Sequence, residues 1–320
     1  MKHHWARRNV FVFVIVVLMS ISAVQAGDKE NTTATAVPVR MTVTLSVLGD
    51  RRMPDVGRQD VMVKQGKERV RVTGWKHADG DGVGLDLFIL IDDASDSSLG
   101  SQLNDLRDFI NAQPSTTSVG IGYMRNATVD IVQNFTSDHA QAARAVRLPT
   151  GSVGAFGSPY LSVVNLMNRW PQHANRRVLM LVTDGIDRAR RTNRTRISST
   201  NPDVNSAATV AQRSGTIIYG FYTPGVGHLH RNFWEATNGQ NDMARLSELS
   251  GGESYFLGLR APVSFKPYFE DVQKNLDNQY LLEFDARSGN RAGLQPVSLS
   301  TEVAGVELIS ADSVWVPSGR

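Results

Sequence analysis

Residues 85–98 constrain this chain more than any other stretch. Positions 85–91 are apolar except for Asp86, and a short apolar run bounded by turn residues suits a strand buried on both faces, as in the middle of a parallel sheet. The run stops abruptly in Asp92-Asp93-Ala94-Ser95-Asp96-Ser97. Leu99, Leu103, Leu106 and Ile110 then recur at helical spacing, which predicts a helix from about Ser97 or Ser98. Carboxylates and hydroxyls are thus concentrated between a central strand's carboxyl end and a helix's amino end, where open α/β sheets bind ligands. All are hard oxygen donors, suited to Mg²⁺, Ca²⁺ or Mn²⁺. One such residue would serve as a helix cap, but five oxygen-bearing side chains in six positions exceed what a cap requires.

Strand–helix alternation continues from there. Residues 118–124 and 128–134 read as a hairpin turning at Arg125-Asn126-Ala127, an antiparallel edge. Residues 138–146 read as a helix, and Pro159 opens another with Leu161, Val164, Leu166 and Trp170 on its buried side. A second fully apolar strand, 178–182, ends in Thr183-Asp184-Gly185. A helix at 204–213, a strand at 216–222, a helix at 243–249, a short strand at 254–257 and an amphipathic helix through Phe265, Phe269, Val272 and Leu276 complete the pattern. Residues 84–279 are therefore expected to form an α/β domain, a doubly wound, Rossmann-like, mostly parallel sheet. On either side the period is two, at 39–48, 60–63 and 68–72 and again at 280–284, 297–299 and 314–316. Neither the amino-terminal β segment (37–83) nor the carboxyl-terminal one (280–320) is long enough for a good core. Residues 280–320 are expected to pair with 37–77 in one flanking, sandwich-like β unit.

The amino terminus has the order of an export signal. Lys2, Arg7 and Arg8 precede an apolar stretch at 10–19 and a small-residue cleavage site, Val24-Gln25-Ala26. Residues 1–26 are expected to be removed and 27–36 to be a flexible lead-in, leaving a periplasmic or secreted protein with no stable membrane span. The formal charge of +3 comes from those three basic residues. The remainder is balanced, which removes the compositional case for nucleic acid. With no cysteine, thiol catalysis and a disulfide framework are both excluded.

If 85–91 and 178–182 are neighbours, Asp184 lands beside Asp93, Ser95 and Ser97, and the loop carrying Ser158 brings a further hydroxyl. Asp93-x-Ser95-x-Ser97, Ser158 and the Thr-Asp-Gly turn at Asp184 resemble the metal-ion-dependent adhesion site of von Willebrand factor A domains. The strand and helix order over 84–279 shares the resemblance. The longer wording resembles exported bacterial proteins of this class. The resemblance implies a divalent cation, Mg²⁺ or alternatively Ca²⁺ or Mn²⁺, bound directly by Ser95, Ser97 and Ser158 and through waters by Asp93 and Asp184. It also implies an open coordination position for an acidic side chain from a protein or envelope partner, so adhesion and not catalysis. Two positions depart from the pattern: Asp96 stands where Gly is usual, and Ser158 where Thr is usual.

Other signals rank lower. Arg188, Arg190, Arg191, Arg194 and Arg196 read as a solvated loop or, more sharply, as an electropositive rim. His228 and His230 have no third soft ligand nearby. Asp92-Asp93 at a strand end leaves a metal-assisted phosphoesterase as the alternative function, although no Lys follows a core strand to neutralise phosphate. No catalytic residue is assigned. A structural module with a vestigial metal site is the third possibility.

Overall fold

The structure, a computed structural model, describes residues 35–47, 49, 53–79, 83–151, 157–172, 175–189, 201–226, 232–260 and 262–319. The export segment 1–26, the lead-in up to residue 34, Arg190, Arg191, Arg194, Arg196, His228 and His230 lie outside these residues. In chain order the first strands are β1 (Ala36–Val47), β2 (Val61–Gln65), β3 (Glu68–His77), β4 (Leu85–Asp92), β5 (Thr117–Arg125), β6 (Thr128–Thr136) and β7 (Arg176–Thr183). They are followed by β8 (Thr216–Tyr222), β9 (Ser254–Tyr255), β10 (Gln279–Arg287), β11 (Gly293–Thr301), β12 (Val306–Ile309) and β13 (Ser313–Val316). The helices are α1 (Leu103–Asn111), α2 (His139–Ala145), α3 (Pro159–Arg169), α4 (Pro202–Ser214), α5 (Phe233–Ser250) and α6 (Lys266–Asp277).

Every residue of β4 is buried. It pairs in parallel with β5 on one side and β7 on the other. The sheet runs β6-β5-β4-β7-β8-β9, with β6 the antiparallel edge. The chain winds away from β4 in both directions, so the switch in strand order lies between β4 and β7. Alternation along β4 divides the core. Leu87, Ile89 and Ile91 pack with Leu106 of α1, Ala142 of α2 and Val272 of α6. Phe88 and Leu90 pack with Val163 of α3, Ala208 of α4 and Leu246 of α5. Each of the larger side chains, the alanines excepted, contributes about 1.5–3 kcal/mol when taken fully from water.

The helix starts are set by short polar side chains. Ser158 Oγ accepts from Leu161 N at 3.3 Å with Pro159 in the first turn, Asn201 caps α4, and Asn232 caps α5. Glycine closes α4 and α5, Gly215 at φ 66° and Gly251 at φ 82°. Two boundaries differ from the sequence pattern. Ser97 opens a 3-10 turn (Ser97–Gln102) and the α-helix starts only at Leu103. Asp96 accepts from Ser98 N at 2.8 Å and caps that turn. Helix α5 starts ten residues before the expected 243, because its first turns carry Asn238, Gly239 and Gln240 and lack a regular apolar stripe.

The second sheet is antiparallel throughout and runs β12-β1-β10-β3-β2-β11-β13. Strands from 36–77 and from 279–316 are interleaved in it, and Val43, Leu45, Val63, Leu282, Phe284 and Val316 share one core. Where the periodicity suggests a sandwich, β10 instead lies between β1 and β3 and hydrogen-bonds to both, so the pieces form one sheet. The α/β sheet leaves and re-enters this sheet at adjacent strands. His77 stands opposite Tyr280, Ala78 N donates to Gln279 O at 2.8 Å, and Tyr280 stacks on Trp75 with ring centroids 4.6 Å apart. Among the described residues no helix is long and apolar enough to cross a membrane.

Candidate functional site at the strand ends

Because side chains alternate along β4, Asp92 falls on the face of Phe88 and Leu90, and Asp93 on the other. Level with Asp92 on β7 is Thr183, whose Oγ1 donates to Asp92 Oδ2 at 2.9 Å. Ala94 N donates to Oδ1 at 2.9 Å. Burial, reinforced by the neighbouring Asp184 charge, pushes the Asp92 carboxyl up to about 6, against the opposing pull of Arg188. The carboxylate that faces Asp184 across the strand ends is therefore Asp92.

Asp93 is bound elsewhere. Arg147 Nη1 and Thr150 N each donate to its Oδ1 at 2.9 Å, and Thr150 Oγ1 donates to Oδ2 at 2.9 Å. Arg125 approaches to 3.8 Å. Burial alone would raise this carboxyl, but Arg147 and Thr150 outweigh it and hold it below its ordinary value.

Asp184 is fully buried and paired with Arg188, which is itself buried. Arg188 Nη2 donates to Oδ2 at 2.5 Å and Nη1 to Oδ1 at 3.2 Å, the two-pronged geometry natural to a guanidinium and a carboxylate. The loop is held in place by Arg188 N donating to Gly157 O at 2.8 Å and Ile186 N to Asp184 Oδ1 at 2.9 Å. Arg188 thus contributes no charge to an exposed rim.

The hydroxyls diverge. Ser95 is buried, and its Oγ has no hydrogen-bond partner. Its backbone bridges Gly225, and a Cβ added to Gly225 would lie 2.2 Å from Asp184 Oδ2, so Ser95 and Asp184 do meet around Gly225. Ser97 is exposed on the 3-10 turn. Ser158 lines a cleft with Asp92 and Arg188, but its oxygen caps α3. That oxygen also bonds Asp187, whose carboxyl burial nevertheless holds above its ordinary value despite Asn201 and Ser158.

Sequence reasoning put Asp92 and Arg188 to other uses and passed over Arg147, Thr150 and Gly225. The available signal was the placing of Arg188 four residues after Asp184. The donors fit a cation poorly. Ser95 Oγ is free to ligate, but Asp184 and Asp93 each already hold a guanidinium, and Ser97 points to solvent. Among the described residues, no three His, Asp or Glu side chains are placed to share an ion.

No protein-family model and no curated protein matches the chain. Solved structures do. One is an aerotolerance-related membrane protein from Bacteroides fragilis, 12% identical over 61% of this chain and 99% of that one, with a TM-score of 0.42. Another is the manganese-loaded TRAP protein of Plasmodium vivax, 12% identical over 74% and 94%, at 0.39. A third is the ArnB paralog VWA2 from Sulfolobus acidocaldarius, 10% identical over 89% and 76%, at 0.38. The strand order and the helices on both faces of the six-stranded sheet are the α/β arrangement that the resemblance to von Willebrand factor A domains implied.

Proposed function

We propose that this chain is a binding protein whose contact surface is the carboxyl-end face of the six-stranded sheet. The observation that carries this reading is where the exposed large apolar side chains lie. Phe233 and Trp234 open α5 beyond β8, Phe256 and Leu257 follow β9, Val263 precedes α6, and Leu148 sits beside Gly100 in the loop before α3. By the connectivity of a wound sheet all six are at the end where Asp92 and Asp184 lie. Among the described residues only Val132, on edge strand β6, is a large apolar residue exposed elsewhere. Monomeric proteins seldom concentrate their exposed apolar groups this way unless a partner covers them. Trp and Phe are the residue types that anchor protein interfaces.

The partner in this reading is a protein of the cell envelope or exterior, held by an apolar rim around a charge-compensated polar centre. Contact in this reading does not run through a bridging metal, because Asp93 and Asp184 are each paired with an arginine. Affinity capture from an envelope fraction with the full chain tests the surface. Trp234→Ala with Leu257→Ala should weaken capture roughly tenfold or more while leaving the melting temperature unchanged. Equal capture by the double variant, or turnover of a generic phosphoester by the wild type, would replace this reading with another.

Export through residues 1–26 belongs to the same proposal, as does the division into a binding domain (84–279) and a β support built from 37–83 and 280–320. Sequencing the amino terminus of the protein recovered from its native host should find Gly27 first. A retained Met1 would sink the export half of the reading.

A further inference from the structure

We infer that the guanidinium of Arg188 occupies the position a divalent cation would take at these strand ends, so that the site is closed to metal and partner binding is chelator-insensitive. The inference deepens the binding-face reading and rests on it only for where a partner would sit.

Three observations converge. The first is charge. A divalent ion between Asp92 and Asp184 would be held by their two negative charges, but Arg188 already makes paired contacts to both oxygens of Asp184. Burial works against a charged guanidinium, yet Asp184 and Asp92 outweigh it and keep Arg188 protonated. The nearby Asp93 is compensated separately by Arg147.

The second is space. Gly225 lies directly over the ion pair, where a Cβ would come 2.2 Å from Asp184 Oδ2 and 2.7 Å from Arg188 Nη2. Its neighbours fasten it there, with Asp96 N donating to Pro224 O and Val226 N to Ala94 O, both at 2.8 Å. On the side of Gly225 the pair leaves no room for a methyl group, and so none for a carboxylate approaching Asp184 from there.

The third is the orphaned hydroxyl. Ser95 Oγ is buried without a partner beside this same glycine. A hydroxyl with a lone pair to give is what a cation would use there. A guanidinium with both amino groups turned to Asp184 and Ile186 leaves it unmet.

The test uses Mn²⁺ alone as the probe, read by electron paramagnetic resonance and calorimetry on the full chain, with the melting temperature taken with and without EDTA. The wild type should show no saturable Mn²⁺ binding at millimolar concentration and no change in melting temperature with chelator. Arg188→Ala empties the position and leaves Asp92, Asp184 and Ser95 facing one another. That variant should bind Mn²⁺ about tenfold or more tightly than the wild type, and its melting temperature should rise with the metal. Saturable binding by the wild type that disappears in Asp184→Asn would overturn the inference, as would a folded Arg188→Ala that ignores Mn²⁺. Should Arg188→Ala fail to fold, the wild-type titration and its Asp184→Asn control decide alone. The rim variants at Trp234 and Leu257 report on the docking surface without reference to Mn²⁺, so the two proposals fail separately.

Discussion

Arg188→Met should cost about 3–5 kcal/mol of folding stability, measured as a shift of the urea midpoint at constant slope. The long apolar side chain keeps most of the volume, so the loss reports charge more than cavity. In the wild type, Asp184 has no exposed side-chain surface and its counter-ion lies at 2.5 Å. Removing that partner strands a carboxylate in a low-dielectric interior, next to a second carboxylate, Asp92, that burial has already made hard to ionise. Asp184→Asn should be similarly costly, because it leaves the guanidinium buried alone. The double variant Asp184→Asn with Arg188→Met should recover most of the loss, since neither uncompensated charge then remains. Additive losses in the double variant, or a single-variant loss below about 1 kcal/mol, would mean that water reaches the pair and that it behaves as a surface ion pair does.

The second large effect is expected at Gly185→Ala. Gly185 has φ 71°, a conformation that side chains bearing a Cβ rarely adopt, and a methyl there would lie 2.2 Å from Gly239 O. The contact is mutual, because a Cβ on Gly239 would lie 2.4 Å from Asp184 O. Both obstacles are backbone, which cannot rotate aside. The left-handed conformation costs an alanine about 1–2 kcal/mol, and prying α5 away from the end of β7 adds to it. The expected loss is at least ~3 kcal/mol by chemical denaturation. The same movement would disturb Asp184, so the variant should also lose partner capture. A variant as stable as the wild type would show that α5 slides freely over the turn.

Much of this architecture was legible because buried parallel strands and helix stripes leave plain marks. The runs of β4, β7 and β8, the β5–β6 hairpin and Pro159 at the start of α3 were all readable in the order of the residues, whereas Ser158, read as a metal ligand, caps that helix. What stayed hidden had physical reasons. A strand buried on both faces has no polar alternation, so nothing along 85–91 says whether Asp92 or Asp93 turns toward β7. A one-residue ambiguity there exchanges the two faces, and the motif Asp93-x-Ser95-x-Ser97 drew the reading to Asp93. Arg188 looked like the first member of a basic loop, since a charged residue declares its burial only through its partner, and Asp184 was reserved for a metal. The first turns of α5 were missed because Asn238, Gly239 and Gln240 are poor helix signals, and Gly239 is required by its approach to Gly185 and not by helix propensity. Strand β12 has only four residues, too few for a period to register.

The adjacency of His77 and Tyr280 has a mechanical consequence for a molecule that holds a partner at one end. The α/β sheet is tied to the seven-stranded sheet by two neighbouring chains, the end of β3 and the start of β10, and both enter the middle of that sheet rather than its rim. A pull applied at the carboxyl-end face therefore reaches β3 and β10 together and along their length. It loads their ladders with β2 and β1 in shear, so that many hydrogen bonds must yield at once instead of opening one after another from an edge.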